Sequence, residues 1–149
     1  MRKITLIKYG CQNISLEDIE AVVDSLNSEF LTQGPLTATF ETHFAEYCNA
    51  NHAIAVNSAT SALHLAYLSL GLGQGDRLWT SPNTFVATSN AAIMCGAEVD
   101  FVDIDLSDGN LCIAALEKKL EIAKFANKLP KIVVPVHFSG RPCNMKEVA

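Results

Sequence analysis

Asn57-Ser58-Ala59-Thr60-Ser61, set between the apolar run Ala53-Ile54-Ala55-Val56 and the longer apolar run from Ala62 to Leu70, decides the fold. A short β-branched run, a polar turn and a helix start in that order read as one strand-turn-helix unit of an α/β protein. The first N–H groups of a helix have no partner inside it and sit at the positive end of its dipole, so such a turn favours a bound phosphate. Ser58, Thr60 and Ser61 add hydroxyl donors. The same residue types also make an ordinary Ser/Thr N-cap, and the stretch alone leaves both readings open.

Outward from this unit, towards the N-terminus, Ser15 and Asp18 have capping-box spacing, with Asp in place of the usual Glu, and predict a helix over residues 16–27. Ile19, Val22, Val23 and Leu26 recur every three or four residues, which predicts one buried face. Gln33-Gly34-Pro35 breaks the pattern. Phe40, Phe44, Tyr47 and Cys48 then mark a second amphipathic helix from about residue 37. His43 and His52 have no partner at metal-ligand spacing and read as surface or packed residues.

Towards the C-terminus, Gly71, Gly73 and Gly75 follow a helix and precede a strand. A dinucleotide fingerprint needs the opposite order, so they read as a helix stop and turn. Strands are expected at 77–80, 99–102 and 132–136, and helices at 86–95 and 113–125. Asp103 to Asn110 is acidic but lacks the remaining ligands of a calcium loop, and reads as a solvated turn. In open α/β sheets ligands gather outside the carboxyl ends of the strands. By that rule residues 58–60, 81–85 and 137–140 open onto one edge.

Composition narrows the function. Apolar residues make up 49% and charged residues 18% of 149, which fits a packed domain, and no apolar run approaches the roughly 18 residues of a membrane helix. A net charge of -5 with eleven scattered Lys and Arg offers no basic stripe for nucleic acid, and neither nucleic acid nor membrane is expected as a partner. Five widely spaced cysteines, with no C-x-x-C pair, read as reduced thiols in the cytoplasm. The basic, briefly apolar start is too short for a signal peptide.

Five segments together carry a resemblance: Leu31-Thr32-Gln33-Gly34-Pro35, Asn57-Ser58-Ala59-Thr60-Ser61-Ala62-Leu63, Pro82-Asn83-Thr84-Phe85-Val86-Ala87-Thr88, Phe101-Val102-Asp103-Ile104-Asp105 and Pro135-Val136-His137-Phe138-Ser139-Gly140. In this order they resemble the DegT/DnrJ/EryC1/StrS family of sugar aminotransferases, across nearly the whole chain. The arrangement most resembles the branch that serves the pseudaminic acid pathway and acts on a UDP-linked 4-keto-6-deoxy amino sugar. The resemblance implies the aspartate aminotransferase fold, a mostly parallel sheet flanked by helices. It divides the chain into an N-terminal arm, helix and substrate-contacting loop over 1–36 and the first part of the large cofactor domain over 37–149.

The cofactor it implies is pyridoxal 5'-phosphate, with Ser58, Ala59 and Thr60 at the phosphate and Phe85 stacked on the pyridine ring. Tyr9, Glu29, Phe30, Leu31 and Thr32 match places where the family meets the nucleotide sugar; His137 receives no catalytic role. The implied reaction moves an amino group from an amino acid, glutamate by expectation, to a 4-keto-6-deoxy nucleotide sugar, in a homodimer. The family's Schiff-base lysine and its acidic partner match positions after Ala149, so the expectation is an N-terminal portion, inactive alone. Lys118, Lys119, Lys124 and Lys128 read as solvated charges on or just after a surface helix. Two other readings stand beside this one: a non-catalytic phosphate or nucleotide-sugar binding protein, or half of a split protein, and a sugar dehydratase of the same family. Unpaired sheet edges and an uncovered apolar face also predict marginal stability.

Overall fold

A computed structural model describes residues 10–149, in two compact units, the first running to Ala55 and the second covering Val56–Ala149. In the first unit, α1 spans Leu16–Leu26 and α2 spans Pro35–Tyr47. The expected capping box closes α1: Ser15 Oγ accepts from the Asp18 N–H at 3.3 Å, and Asp18 Oδ2 accepts from the Ser15 N–H at 2.8 Å. Pro35 stands in the first turn of α2, where its missing N–H costs nothing.

Two expectations fail in this region. The stripe of Ile19, Val22, Val23 and Leu26 lies on one face of α1, but it is exposed, Val22 by 60%. Periodicity groups side chains on a face, whereas burial needs a second surface against it. Phe40, Phe44 and Tyr47 of α2 are exposed too, with Phe40 and Phe44 in contact at 5.7 Å between ring centroids. The run at 53–56 forms no strand, because none of the described strands pairs with it, and Ile54 is 80% exposed. Its Ala55 N–H is held instead by Glu41 Oε1 at 2.7 Å.

The second unit alternates helix and strand: α3 at Ala59–Ser69, β1 at Arg77–Thr80, α4 at Ala87–Met94, β2 at Glu98–Phe101, α5 at Ile113–Phe125, β3 at Ile132–Val134 and α6 at Met145–Val148. The strands form one parallel sheet in the order β2-β1-β3, with Leu78 between Val99 and Ile132 and Trp79 between Asp100 and Val133. Successive residues of a strand point to opposite faces. Leu78 accordingly packs with Tyr67, Leu72, Ala91, Ala92 and Ala97 from the α3 and α4 side, and Trp79 packs with Val102, Leu111, Leu116 and Ala123 from the α5 side. Burial on both faces is why β1 sets two large apolar residues, Leu78 and Trp79, side by side rather than alternating.

The glycine cluster is the helix stop its order predicted. Gly71 has φ +71°, and the Leu72 N–H returns to the Tyr67 carbonyl at 2.9 Å, closing the end of α3. β3 stops two residues short of the expected 136, because Pro135 has no N–H to donate to the ladder.

Candidate functional site

At the N-terminus of α3, Ser58 is the N-cap, and its Oγ accepts from the Ser61 N–H at 3.2 Å. Ser61 Oγ donates to Asn57 Oδ1 at 2.7 Å and lies 3.1 Å from Ser58 Oγ. The Ala62 N–H reaches the Ser58 carbonyl at 3.0 Å. Asn57, Ser58 and Ser61 thus satisfy one another and hold the turn rigid. Among the described residues, nothing accepts from the N–H groups of Ala59 and Thr60 or bonds to the Thr60 hydroxyl. No acidic side chain stands in the first turn. The cap fixes the turn, and the turn leaves two backbone donors and a hydroxyl at the positive end of an 11-residue helix.

The sheet contributes a second cluster at its carboxyl edge. Phe85, at the end of the loop after β1, is 77% exposed, so it is no core residue and its ring face is available. Behind it the loops after the three strands are tied together. Asn83 Nδ2 donates to the Gly109 carbonyl at 2.7 Å. The buried Asn110 accepts from the Phe138 N–H at 2.9 Å through Oδ1 and donates to the Arg141 carbonyl at 3.2 Å through Nδ2. His137 Nδ1 accepts from the Cys143 N–H at 3.1 Å and so works as a loop brace. Ser81 Oγ, in a residue with 0% exposure, and Asn83 Oδ1 are buried with no partner.

Asp103 to Asn110 is more than the expected solvated turn. Asp105 Oδ1 accepts from the Ser107 N–H at 2.8 Å, and hydrogen bonding by Ser107 holds the Asp105 carboxyl below its usual range. Asp108 pairs with Arg141 at 3.5 Å, and Asn110 is buried. Sequence reading missed Asn83, Gly109 and Asn110 as structural links. The one signal available was amide and glycine residues flanked by apolar motifs.

Glu29, Phe30, Leu31 and Thr32 form the exposed connection between α1 and α2 in the first unit. Ser28 Oγ donates to the Phe30 carbonyl at 3.2 Å, and a Cβ on Gly34 would meet that carbonyl oxygen at 2.7 Å, so this loop closes tightly on itself. Tyr9 lies outside the described residues.

The lysines among the described residues are engaged elsewhere or exposed. Lys119 departs from expectation: it is half-buried, bonded to the Phe101 carbonyl and to Asp100 at 2.7 Å, and stands over the Trp79 ring at 4.9 Å. Partial burial pushes the Asp100 carboxyl up, but Lys119, the Phe101 N–H and Arg77 together hold it below the ordinary value. Lys131 joins Asp76 and the Gly71 carbonyl at the opposite, amino edge of the sheet. Lys118, Lys124 and Lys128 are exposed, as expected. All five cysteines are free thiols, and no described helix is long and apolar enough to cross a membrane.

Comparison with known proteins places this geometry in a lineage. Residues 12–149 match the DegT/DnrJ/EryC1/StrS aminotransferase family. The chain is 43% identical, over 97% of its length, to the UDP-4-amino-4,6-dideoxy-N-acetyl-beta-L-altrosamine transaminase of Campylobacter jejuni, of which it covers 37%. Among solved structures it is similar to PseC of Helicobacter pylori, an aminotransferase involved in the biosynthesis of pseudoaminic acid, with a TM-score of 0.84 and 34% identity, covering 95% of this chain and 37% of that one. It is also similar to Spr1654 of Streptococcus pneumoniae in its PLP form, with a TM-score of 0.82 and 27% identity, covering 95% of this chain and 35% of that one. The chain thus spans little more than a third of the length of these relatives.

Proposed function

Because the chain belongs to the DegT/DnrJ/EryC1/StrS aminotransferase family and has the fold of its sugar aminotransferases, we propose that the turn at residues 57–61 and Phe85 form the phosphate and ring contacts of a pyridoxal 5'-phosphate site. The observation that carries this reading is the pair of open N–H groups at Ala59 and Thr60, framed by a cap that is complete without them. Two backbone donors and a hydroxyl fit a phosphate dianion, and the helix terminus favours its charge. The exposed ring of Phe85 fits a planar pyridine. When bound, the cofactor supplies the electron sink for amino-group transfer.

Each residue here has a separate task. Ser58 and Asn57 keep the turn in shape, Ala59 and Thr60 anchor the phosphate, and Phe85 covers the ring. Glu29 to Thr32, with Tyr9, are assigned to the nucleotide sugar. The substrates proposed are a 4-keto-6-deoxy nucleotide sugar and an amino-acid donor, glutamate by preference, in a cytoplasmic homodimer. The described lysines do not supply the Schiff-base nitrogen on this reading, since Lys119 and Lys131 are committed to other partners and the rest are exposed. That observation favours a second reading, a chain that binds cofactor or nucleotide sugar without turnover by itself. Incubation with cofactor, glutamate and a 4-keto sugar nucleotide separates the two, since only the first gives an amino sugar.

Ala59→Pro tests the site directly. Ala59 is the first helical residue, where proline fits, and Ser58 already has the extended backbone that a residue before proline prefers. The substitution removes one open N–H and little else. Binding of pyridoxamine 5'-phosphate, which has no aldehyde to react with surface lysines, is expected to weaken by about tenfold or more, as for a lost bond to a charged group. Unchanged affinity measured by calorimetry would remove the phosphate-cup assignment.

A further inference from the structure

Two residues ahead of Phe85, the loop after β1 has few restraints of its own. Its backbone closes only through the long 3.4 Å bond from the Thr84 N–H to the Ser81 carbonyl. The Thr84 and Thr88 hydroxyls meet at 2.7 Å, and the Thr88 N–H reaches the Phe85 carbonyl at 3.0 Å, so these bonds join the loop to α4. The short tether to the rest of the sheet edge is the 2.7 Å bond from Asn83 Nδ2 to the Gly109 carbonyl.

That carbonyl is itself fixed. Gly109 has φ +74°, its N–H reaches the Asp105 carbonyl at 2.8 Å, and the Phe138 ring stands where a Cβ would be, 2.7 Å away. Asn110, next in sequence, is buried and bonded to the loop after β3. The Asn83 Oδ1 atom is buried without a partner, so the hydrogen bonding of this side chain rests on Nδ2 and the Gly109 carbonyl.

We propose that Asn83 is a positioning residue: its bond to the Gly109 carbonyl sets the loop that presents the Phe85 ring to the cofactor. The inference rests on the cofactor reading above for its consequence, though the tether itself does not. It separates two contributions that a cofactor molecule makes together. The phosphate is held at α3, independently of Asn83, whereas the ring is held by Phe85, through Asn83.

The test compares inorganic phosphate with pyridoxamine 5'-phosphate on the 149-residue chain and on Asn83→Asp, which keeps the shape and loses the donor. The chain is expected to favour the pyridoxamine compound by about three- to tenfold, the range of an aromatic stacking contact. In N83D that preference should fall towards one, with affinity for inorganic phosphate unchanged. Retention of the full preference in N83D overturns the proposal.

Amide hydrogen exchange gives a readout free of ligand. Thr88 should exchange faster in N83D while the β1 amides at Leu78, Trp79 and Thr80 stay protected; unchanged Thr88 exchange overturns the tether. If the chain binds neither probe, the phosphate-cup reading fails, and Thr88 exchange alone decides the positioning role. Should the β1 amides show that N83D has unfolded, Asn83→Ser, which loses the reach without adding charge, takes its place in both measurements.

Discussion

Asp76 carries the clearest pH-dependent contact. Its carboxylate accepts from Lys131 Nζ and from the Gly73 N–H, each at 2.9 Å, and these bonds, that from Lys131 first, hold its carboxyl below the ordinary value of 3.8. A carboxyl depressed on folding stabilises the folded state fully above its unfolded value, and the contribution is lost as pH falls through the depressed one. Thermal stability should therefore fall below about pH 4, and in Lys131→Met the Asp76 titration followed by NMR should move back up towards the ordinary value. An Asp76 midpoint unaffected by K131M would assign the depression to the Gly73 N–H alone. At this scale the sequence is legible where partners are close along the chain. Ser15 with Asp18 was readable because a cap bonds three residues on, whereas at residues 58–61 a Ser/Thr cap was readable without its donor and acceptor being assigned. Asn83 with Gly109 and Asn110 with Arg141 were not, because 26 and 31 residues separate them and only the folded sheet brings them together.

Elements depend on what packs against them. The helix at 113–125 and the strand at 77–80 match their sequence patterns to the residue, since α5 and β1 pack directly on the core. The run at 53–56 carries two β-branched residues, Ile54 and Val56, and forms no strand, because a strand exists only through its ladder. The turn between β2 and α5 depends on Gly109 twice, for its positive φ and for the space the Phe138 ring occupies. Gly109→Ala is expected to cost about 2–4 kcal/mol, from left-handed strain together with overpacking. Denaturant unfolding measures it, and a cost of only about 1 kcal/mol, the size of the left-handed strain alone, would mean that the loop after β3 simply moves aside.

Among the described residues, exposed apolar side chains are concentrated on α1 and α2 in the first unit and recur on α3, α4 and α5 in the second. Surfaces of this kind drive association. Sedimentation of the 149-residue chain should show self-association that rises with concentration, and Val22→Glu should reduce it without lowering thermal stability. A monomer at all concentrations would contradict this. The family and its fold were legible from five short motifs, three of which mark strand ends or loops of the sheet, one the start of α3 and one the connection between α1 and α2. An uncovered apolar face was expected at the sheet, but its place on α1 was not legible, because hydrophobic periodicity is the same whether or not a partner surface is present.

The strand order β2-β1-β3 has a consequence for how the chain assembles. The strand made first occupies the middle, and it can pair with β2 soon after residue 101 is synthesised. Its other side must wait for β3: Thr80 bonds to the Val134 carbonyl across 54 residues of chain. Closing so long a loop is an entropic cost met before any contact on that side is gained, and parallel pairings of this kind form slowly. During that interval one flank of the central strand is an open template, so a ribosome-bound chain with β1 and β2 in place and β3 still unmade is the species a chaperone would meet.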